Sequence, residues 1–232
     1  MMRTIILLLT LVLAIFSTGC RKSSDAARLE LAQMNIPFTE AAFIDTARQG
    51  DASALALFLD AGMSTETKTY EGQPALSVAA LSNQADALEL LLMKGADPDA
   101  RDRFGGTALM TASWKGNSQI VNALLAEGPD LNAQAANGMT ALMFASWGDH
   151  AEIVETLLEK GADPAISDKD GWTALTRAVF KGHTKTAKVL LERGADVSAE
   201  SNDQKTALKI AEDRRLPEMV QLLKSAGATK GD

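Results

Sequence analysis

Gly105 to Ala133 reads GGTALMTASWKGNSQIVNALLAEGPDLNA, and 33 residues later Gly138 to Ile166 reads GMTALMFASWGDHAEIVETLLEKGADPAI. A third copy, GWTALTRAVFKGHTKTAKVLLERGADVSA, starts at Gly171. The same register runs back to Gly72 and forward to Gln204, where glutamine stands in place of glycine. Two residues after each start stand Pro74, Thr107, Thr140, Thr173 and Thr206, each followed by Ala-Leu. Seven after it stand Ala79, Ala112, Ala145, Ala178 and Ala211, and further on come the leucine pairs Leu91-Leu92, Leu124-Leu125, Leu157-Leu158 and Leu190-Leu191. Self-similarity at one fixed period of this length marks a stack of supersecondary units, none of which buries its apolar face alone.

Each unit reads as a short helix, a turn, a longer helix and a loop. The small alanine column fits close stacking of the first helices, and the leucines of the second helix fill the space between layers. The turn between the helices needs left-handed backbone angles, and the chain places Gly50, Asn83, Gly116, Asp149 and Gly182 there. The second helix ends at the series beginning Gly62 and Gly95, where glycine accepts a left-handed cap.

These copies closely resemble the ankyrin repeat family over about 190 residues, Thr39 to Ala228. The resemblance implies an all-α α-solenoid of six stacked repeats with β-hairpin fingers, at about 39–71, 72–104, 105–137, 138–170, 171–203 and 204–228. The first copy lacks the Thr-Ala-Leu turn, and the last puts Glu212, Asp213, Arg214 and Arg215 where upstream copies are apolar or small. Both departures are expected of terminal caps, whose polar outer faces keep a stack soluble. The family's usual Pro after Thr is Ala here, and its usual His after Leu is Ser77, Met110, Met143, Thr176 or Lys209.

In this register the family's partner-contact positions hold Tyr70, Phe104, Met139 and Trp172 on the fingers and Leu81, Trp114, Trp147 and Phe180 on the first helices. Arg103, Lys115 and Lys181, with Lys169 and Lys205, lie at or beside them. All three tryptophans of a chain with 5% aromatics therefore fall where the fold presents side chains to a ligand, among residue types enriched at binding hot spots. The competing reading makes each large residue a packing filler against the neighbouring finger. A protein partner of unknown identity is the expectation, bound by a monomer.

The N-terminus carries a separate signal. Arg3 precedes Ile5 to Phe16, a run of twelve that is apolar except for Thr10, too short to cross a bilayer and the right length for an export signal. Ser17-Thr18-Gly19-Cys20 then resembles the processing box of bacterial lipoproteins, with Ser17 where that box usually has leucine. The expected division is a signal peptide over 1–19, acylated Cys20 and a tether with a short helix near Ala26 to Met34 over 20–37, and the repeat domain over 38–232. An ordinary secretory cleavage nearby, or an uncleaved anchor, is the alternative. With Arg21 after the cysteine, the resemblance implies an outer-membrane lipoprotein facing the periplasm.

Composition narrows the chemistry. A formal charge of -7 argues against nucleic acid as partner, a single cysteine excludes an intramolecular disulfide, and two histidines leave little for a zinc site. His150 and His183 sit one repeat apart at a place where the family commonly uses histidine structurally. Glu152, Glu155 and Glu159 form an acidic helix edge that reads as a solvated face. No catalytic residue, metal or cofactor is expected. The chain reads as an exported, membrane-anchored protein-binding module; the alternative is an inhibitor, immunity or maturation factor for an envelope enzyme or toxin, and an enzyme using carboxylates stands last.

Overall fold

The computed structural model describes residues 24–229, so the stretch read as an export signal and Cys20 lie outside the described residues. A first helix, α1, covers 24–33. Six helix pairs follow: α2 (Glu40–Gln49) with α3 (Ala52–Asp60), α4 (Ala75–Leu81) with α5 (Ala85–Met93), and α6 (Ala108–Lys115) with α7 (Ser118–Ala126). Then come α8 (Ala141–Trp147) with α9 (Ala151–Glu159), α10 (Ala174–Lys181) with α11 (Thr184–Glu192), and α12 (Ala207–Asp213) with α13 (Pro217–Ser225). First helices pack on first helices and second on second, which makes a helical solenoid.

The recurring threonine starts each first helix. The hydroxyl oxygens of Thr107, Thr140, Thr173 and Thr206 accept from the backbone N–H groups of Met110, Met143, Thr176 and Lys209, satisfying donors that a helix N-terminus leaves open. Pro74 holds the same place without a side-chain cap. The alanine column, Ala79, Ala112, Ala145, Ala178 and Ala211, is wholly buried, because each first helix packs on the first helices of adjacent repeats and on its own second helix. Leu91, Leu124, Leu157 and Leu190 are equally buried on the second helices and close the gaps between layers.

Backbone angles follow the expected turns. Asn83 and Asp149 take φ of 62°, and Arg215 completes that series in the last repeat at 57°. Gln204 keeps the glycine conformation of its column, at φ 58°.

The fingers are tighter than hairpins of paired strands. Among the described residues only isolated bridges occur, Lys68 with Pro74 and Glu200 with Thr206. Each finger is a turn closed by two backbone bonds, as from Asp168 N to the Trp172 carbonyl at 3.0 Å and from Gly171 N to the Asp168 carbonyl at 2.9 Å, and fastened by a polar side chain. Asp102 Oδ1 accepts from Phe104 N and Gly106 N, both at 2.8 Å, and Asp168 Oδ1 accepts from Asp170 N at 2.9 Å and Trp172 N at 3.0 Å. Where Ala135 breaks this column, Asn137 Oδ1 accepts from Met139 N instead, at 3.0 Å.

Successive fingers are stitched tip to tip: Ala136 N donates to the Phe104 carbonyl at 2.7 Å, Lys169 N to Asn137 at 3.1 Å and Asn202 N to Asp170 at 3.0 Å. This approach leaves no room for a side chain at two of the repeat-start glycines. A Cβ at Gly138 would lie 2.7 Å from Lys169 N, and one at Gly171 would lie 2.6 Å from Asn202 N.

Both ends are closed. Leu31 of α1 is fully buried in the core that holds Phe43 and Phe58, while Ser24 Oγ and Arg28 Nη2 donate to the Ala61 carbonyl at 3.1 and 3.3 Å. At the other end, Lys209 pairs with Asp213 at 3.0 Å and Lys224 with Glu212 at 3.7 Å, so these two acids of the last repeat are each matched by a lysine.

Candidate functional site

The fingers and the first helices border a groove, and the structure sorts the candidate contact residues along it. Tyr70, Leu81, Phe104 and Trp114 are exposed, Phe104 at 60% and Trp114 at 47% of their free surface. Trp147, Trp172 and Phe180 are half-buried. Arg103, Lys115 and Lys181 are exposed. Met139 departs from the expectation of a contact residue: it is 8% exposed and belongs to the core. An unbranched, flexible side chain follows the finger inward there, whereas the larger Trp172 at the equivalent place stays partly outside.

Two distinct environments result. Between the second and third fingers, Phe104, Met110, Thr111, Trp114 and Phe144 line an apolar cavity of about 350 Å3, together with Ala135 to Asn137 of the third finger. Its polar lining residues are engaged within the protein: Asp102 Oδ1 accepts from two backbone N–H groups, Asn137 Oδ1 accepts from Met139 N, and the Thr111 hydroxyl donates to the Thr107 carbonyl. Lys115 sits over the Trp114 ring at 4.9 Å from its centroid, and Arg103 over Phe104 at 4.7 Å.

The second environment is an aromatic and cationic cluster one to two repeats further along. Trp147 stacks on Phe180 with centroids 6.2 Å apart and planes at 20°, and Phe180 meets Trp172 edge-on at 4.9 Å. Arg177 lies 5.4 Å from the Trp147 centroid and 4.9 Å from that of Trp172. It is anchored by Asp168, whose buried carboxylate accepts from Nε at 2.8 Å and also from Nη2. Lys181 lies 4.8 Å over Trp147 and Arg214 4.4 Å over Phe180. In this half of the groove the rings pack on one another, Trp147 on Phe180 and Phe180 on Trp172, and each also has a cation beside it.

Sequence reasoning missed Arg177, Asp168, Arg214 and Phe144. Arg177 had a visible signal: it is the one charge in a column otherwise filled by Val78, Thr111, Phe144 and Ile210. Asp168 had a weaker one, sharing with Asp102 a column that otherwise reads Thr69, Ala135 and Ser201. The pairing between those two columns exists only in three dimensions.

The histidines brace the stripe from behind. His150 Nε2 donates to the Trp114 carbonyl at 3.0 Å, and His183 Nε2 to the Trp147 carbonyl at 3.1 Å. Each links the turn of one repeat to the aromatic position of the preceding one. The acidic edge of α9 is engaged as well: Arg193 Nη2 of the next repeat binds Glu155 at 2.7 Å and Glu159 at 2.6 Å. Hydrogen bonding to Glu159 and then Glu155 raises the Arg193 guanidinium above its ordinary value. The Ser198 hydroxyl and backbone N–H, both donating to Asp196, hold that carboxyl below the usual range. Neither group lines the groove. Among the described residues no cluster of three His, Cys, Asp or Glu side chains is placed to hold a metal ion, and no helix is long and apolar enough to cross a membrane.

The comparisons with known proteins agree with this architecture. Models of the ankyrin repeat match residues 71–103, 92–168 and 162–232. Among solved structures, an ankyrin repeat domain from Acinetobacter baumannii AYE is 29% identical with a TM-score of 0.76, the alignment covering 82% of this chain and 100% of that one. The ankyrin repeat domain of Bcl-3, described as a member of the IκB protein family, is 31% identical with a TM-score of 0.74, covering 81% of this chain and 86% of that one. No curated protein matches the sequence. The threonine-capped first helices, the stitched fingers and these matches together place the chain in the ankyrin repeat family.

Proposed function

We propose that the chain is an exported, membrane-anchored interaction module that docks a protein partner in the groove between its fingers and first helices. The observation that carries this reading is the pair Phe104 and Trp114, two large apolar side chains left exposed around an apolar cavity. Trp147, Trp172 and Phe180 form the stiff continuation of the same surface, with Arg103, Lys115 and Lys181 setting its charge preference. A standard interface buries about 1,600 Å2 in total, which three or four repeats supply.

Export and anchoring rest on the sequence. The twelve-residue run Ile5 to Phe16 suits a secretion signal, and Cys20 stands where a lipoprotein is acylated. Several acyl chains at about 0.8 kcal/mol per buried methylene make such an anchor effectively permanent. Arg21 after the cysteine supports an outer-membrane position facing the periplasm.

Crosslinked capture from the native cell envelope tests the groove. A partner held by the wild type and lost with Phe104→Ala/Trp114→Ala, whose thermal unfolding stays unchanged, supports the reading; equal capture by both counts against it. Truncating hot-spot aromatics of this kind costs more than about 2 kcal/mol of binding. The anchor is tested separately: Cys20→Ser should abolish incorporation of labelled palmitate, and label retained in that variant refutes lipidation at Cys20.

A further inference from the structure

The groove's charges are not all spent on the protein itself. Arg103 faces Glu71 at 3.9 Å, Arg177 is held by Asp168, and Lys205 lies 3.6 Å from Asp203 and 4.0 Å from Asp213. Lys115, Lys181 and Arg214 have no carboxylate partner among the described residues. All three stand ten places after a repeat start, at 105, 171 and 204, so they share one register along the stack. Each is exposed and rests over an aromatic ring, Trp114, Trp147 and Phe180 respectively, which fixes its position without neutralising it. A row of fixed, uncompensated cations on a chain of net charge -7 is a local reversal of sign, and potentials across an interface are arranged to be complementary.

The row begins beside the apolar cavity, since Lys115 adjoins Trp114. The carboxylates near the groove do not cancel it. Asp102 is tied to its own turn, Asp168 is buried under Arg177, and exposed Asp170 lies 3.8 Å from Arg177. Packed helices lie about 8–10 Å apart, so Lys181 is roughly 18 Å from Lys115 and Arg214 about 9 Å beyond it. An extended chain advances about 3.3 Å per residue. A ligand that reaches the cavity and all three cations is therefore elongated along the stack, as a compact small molecule is not.

Building on the groove reading above, we propose that the partner presents an extended acidic segment. One large apolar side chain enters the Phe104–Trp114 cavity. Carboxylates about five or six, and about eight or nine, residues along the segment meet Lys181 and Arg214. The cavity supplies the anchor, and the cations supply direction and register.

The test is selection of a displayed library of random linear dodecapeptides on the purified full chain. Recovered peptides should be rich in Asp and Glu around one Leu, Met or aromatic residue. Their binding should weaken at least tenfold as salt rises from about 50 to 500 mM. It should weaken comparably with Lys115→Glu/Lys181→Glu/Arg214→Glu and with Trp114→Ala, both substituting exposed side chains and both checked by thermal unfolding. A neutral Gln version of the triple variant should fall between wild type and the Glu version. Neutral or basic peptides, or acidic ones indifferent to the triple variant, overturn the proposal. Failure to recover any peptide also overturns it, while leaving the groove reading standing if envelope capture still depends on Phe104 and Trp114. Capture insensitive to those two residues removes the broader reading itself.

Discussion

Arg177 lies across the first helix of its repeat with Nε 2.8 Å from Oδ2 of Asp168, a carboxylate whose side chain is wholly buried. That pair connects the finger to the helix behind it. Asp168 fixes the finger turn through two backbone N–H groups, and the guanidinium it holds lies between Trp147 and Trp172. The aromatic cluster thus keeps its shape without a ligand, which lowers the ordering cost of binding.

Asp168→Ala should destabilise the protein by about 3 kcal/mol, because it strands a guanidinium and opens the finger turn together. Arg177→Met should cost less, about 1–2 kcal/mol, since the carboxylate keeps its two backbone donors and the methylene stem is replaced. Urea unfolding followed by tryptophan emission checks the order; equal costs would show that the turn does not depend on Asp168.

The stitched fingers predict position-dependent glycine effects. Gly72→Ala meets nothing closer than 3.7 Å, so it should cost only the left-handed backbone penalty of about 1 kcal/mol. Gly138→Ala and Gly171→Ala push a methyl into the next finger's backbone and should cost at least about 2 kcal/mol. Gln204→Gly should stabilise by about 0.5–1 kcal/mol, because Gln204 holds φ 58°. Chemical denaturation of the four variants separates these values, and identical losses for the three alanines would contradict the close approach.

Leu31→Ala should cost about 2–4 kcal/mol, as for other fully buried leucines, and should loosen the first repeat most. Hydrogen exchange would show the loss of protection concentrated in α2 and α3. A variant as stable as wild type would mean that α1 is not an integral cap.

The reach of the sequence differs between fold and groove. The period of 33 set out every helix pair, since the Thr caps, the buried alanines and the left-handed turns are local requirements that repeat in the sequence. Exposure within the groove was less legible. Trp114 and Trp147 occupy equivalent places, yet Trp114 stands out beside a cavity and Trp147 is covered by Phe180 and Arg177. The difference comes from the surrounding residues: Gly106 lines the open cavity beside Trp114, whereas Phe180, itself backed by Trp172, stacks on Trp147. Met139 is a contact position by register and a core residue by packing.

The groove is tested most directly by site-specific photocrosslinking in intact cells, with a photoreactive residue at position 104 in the groove and, as a control, at position 188 on the exposed side of α11. The account predicts a discrete crosslinked species from position 104 that disappears with Trp114→Ala, and none from position 188. The same species from position 188, or one from position 104 that survives Trp114→Ala, would contradict it.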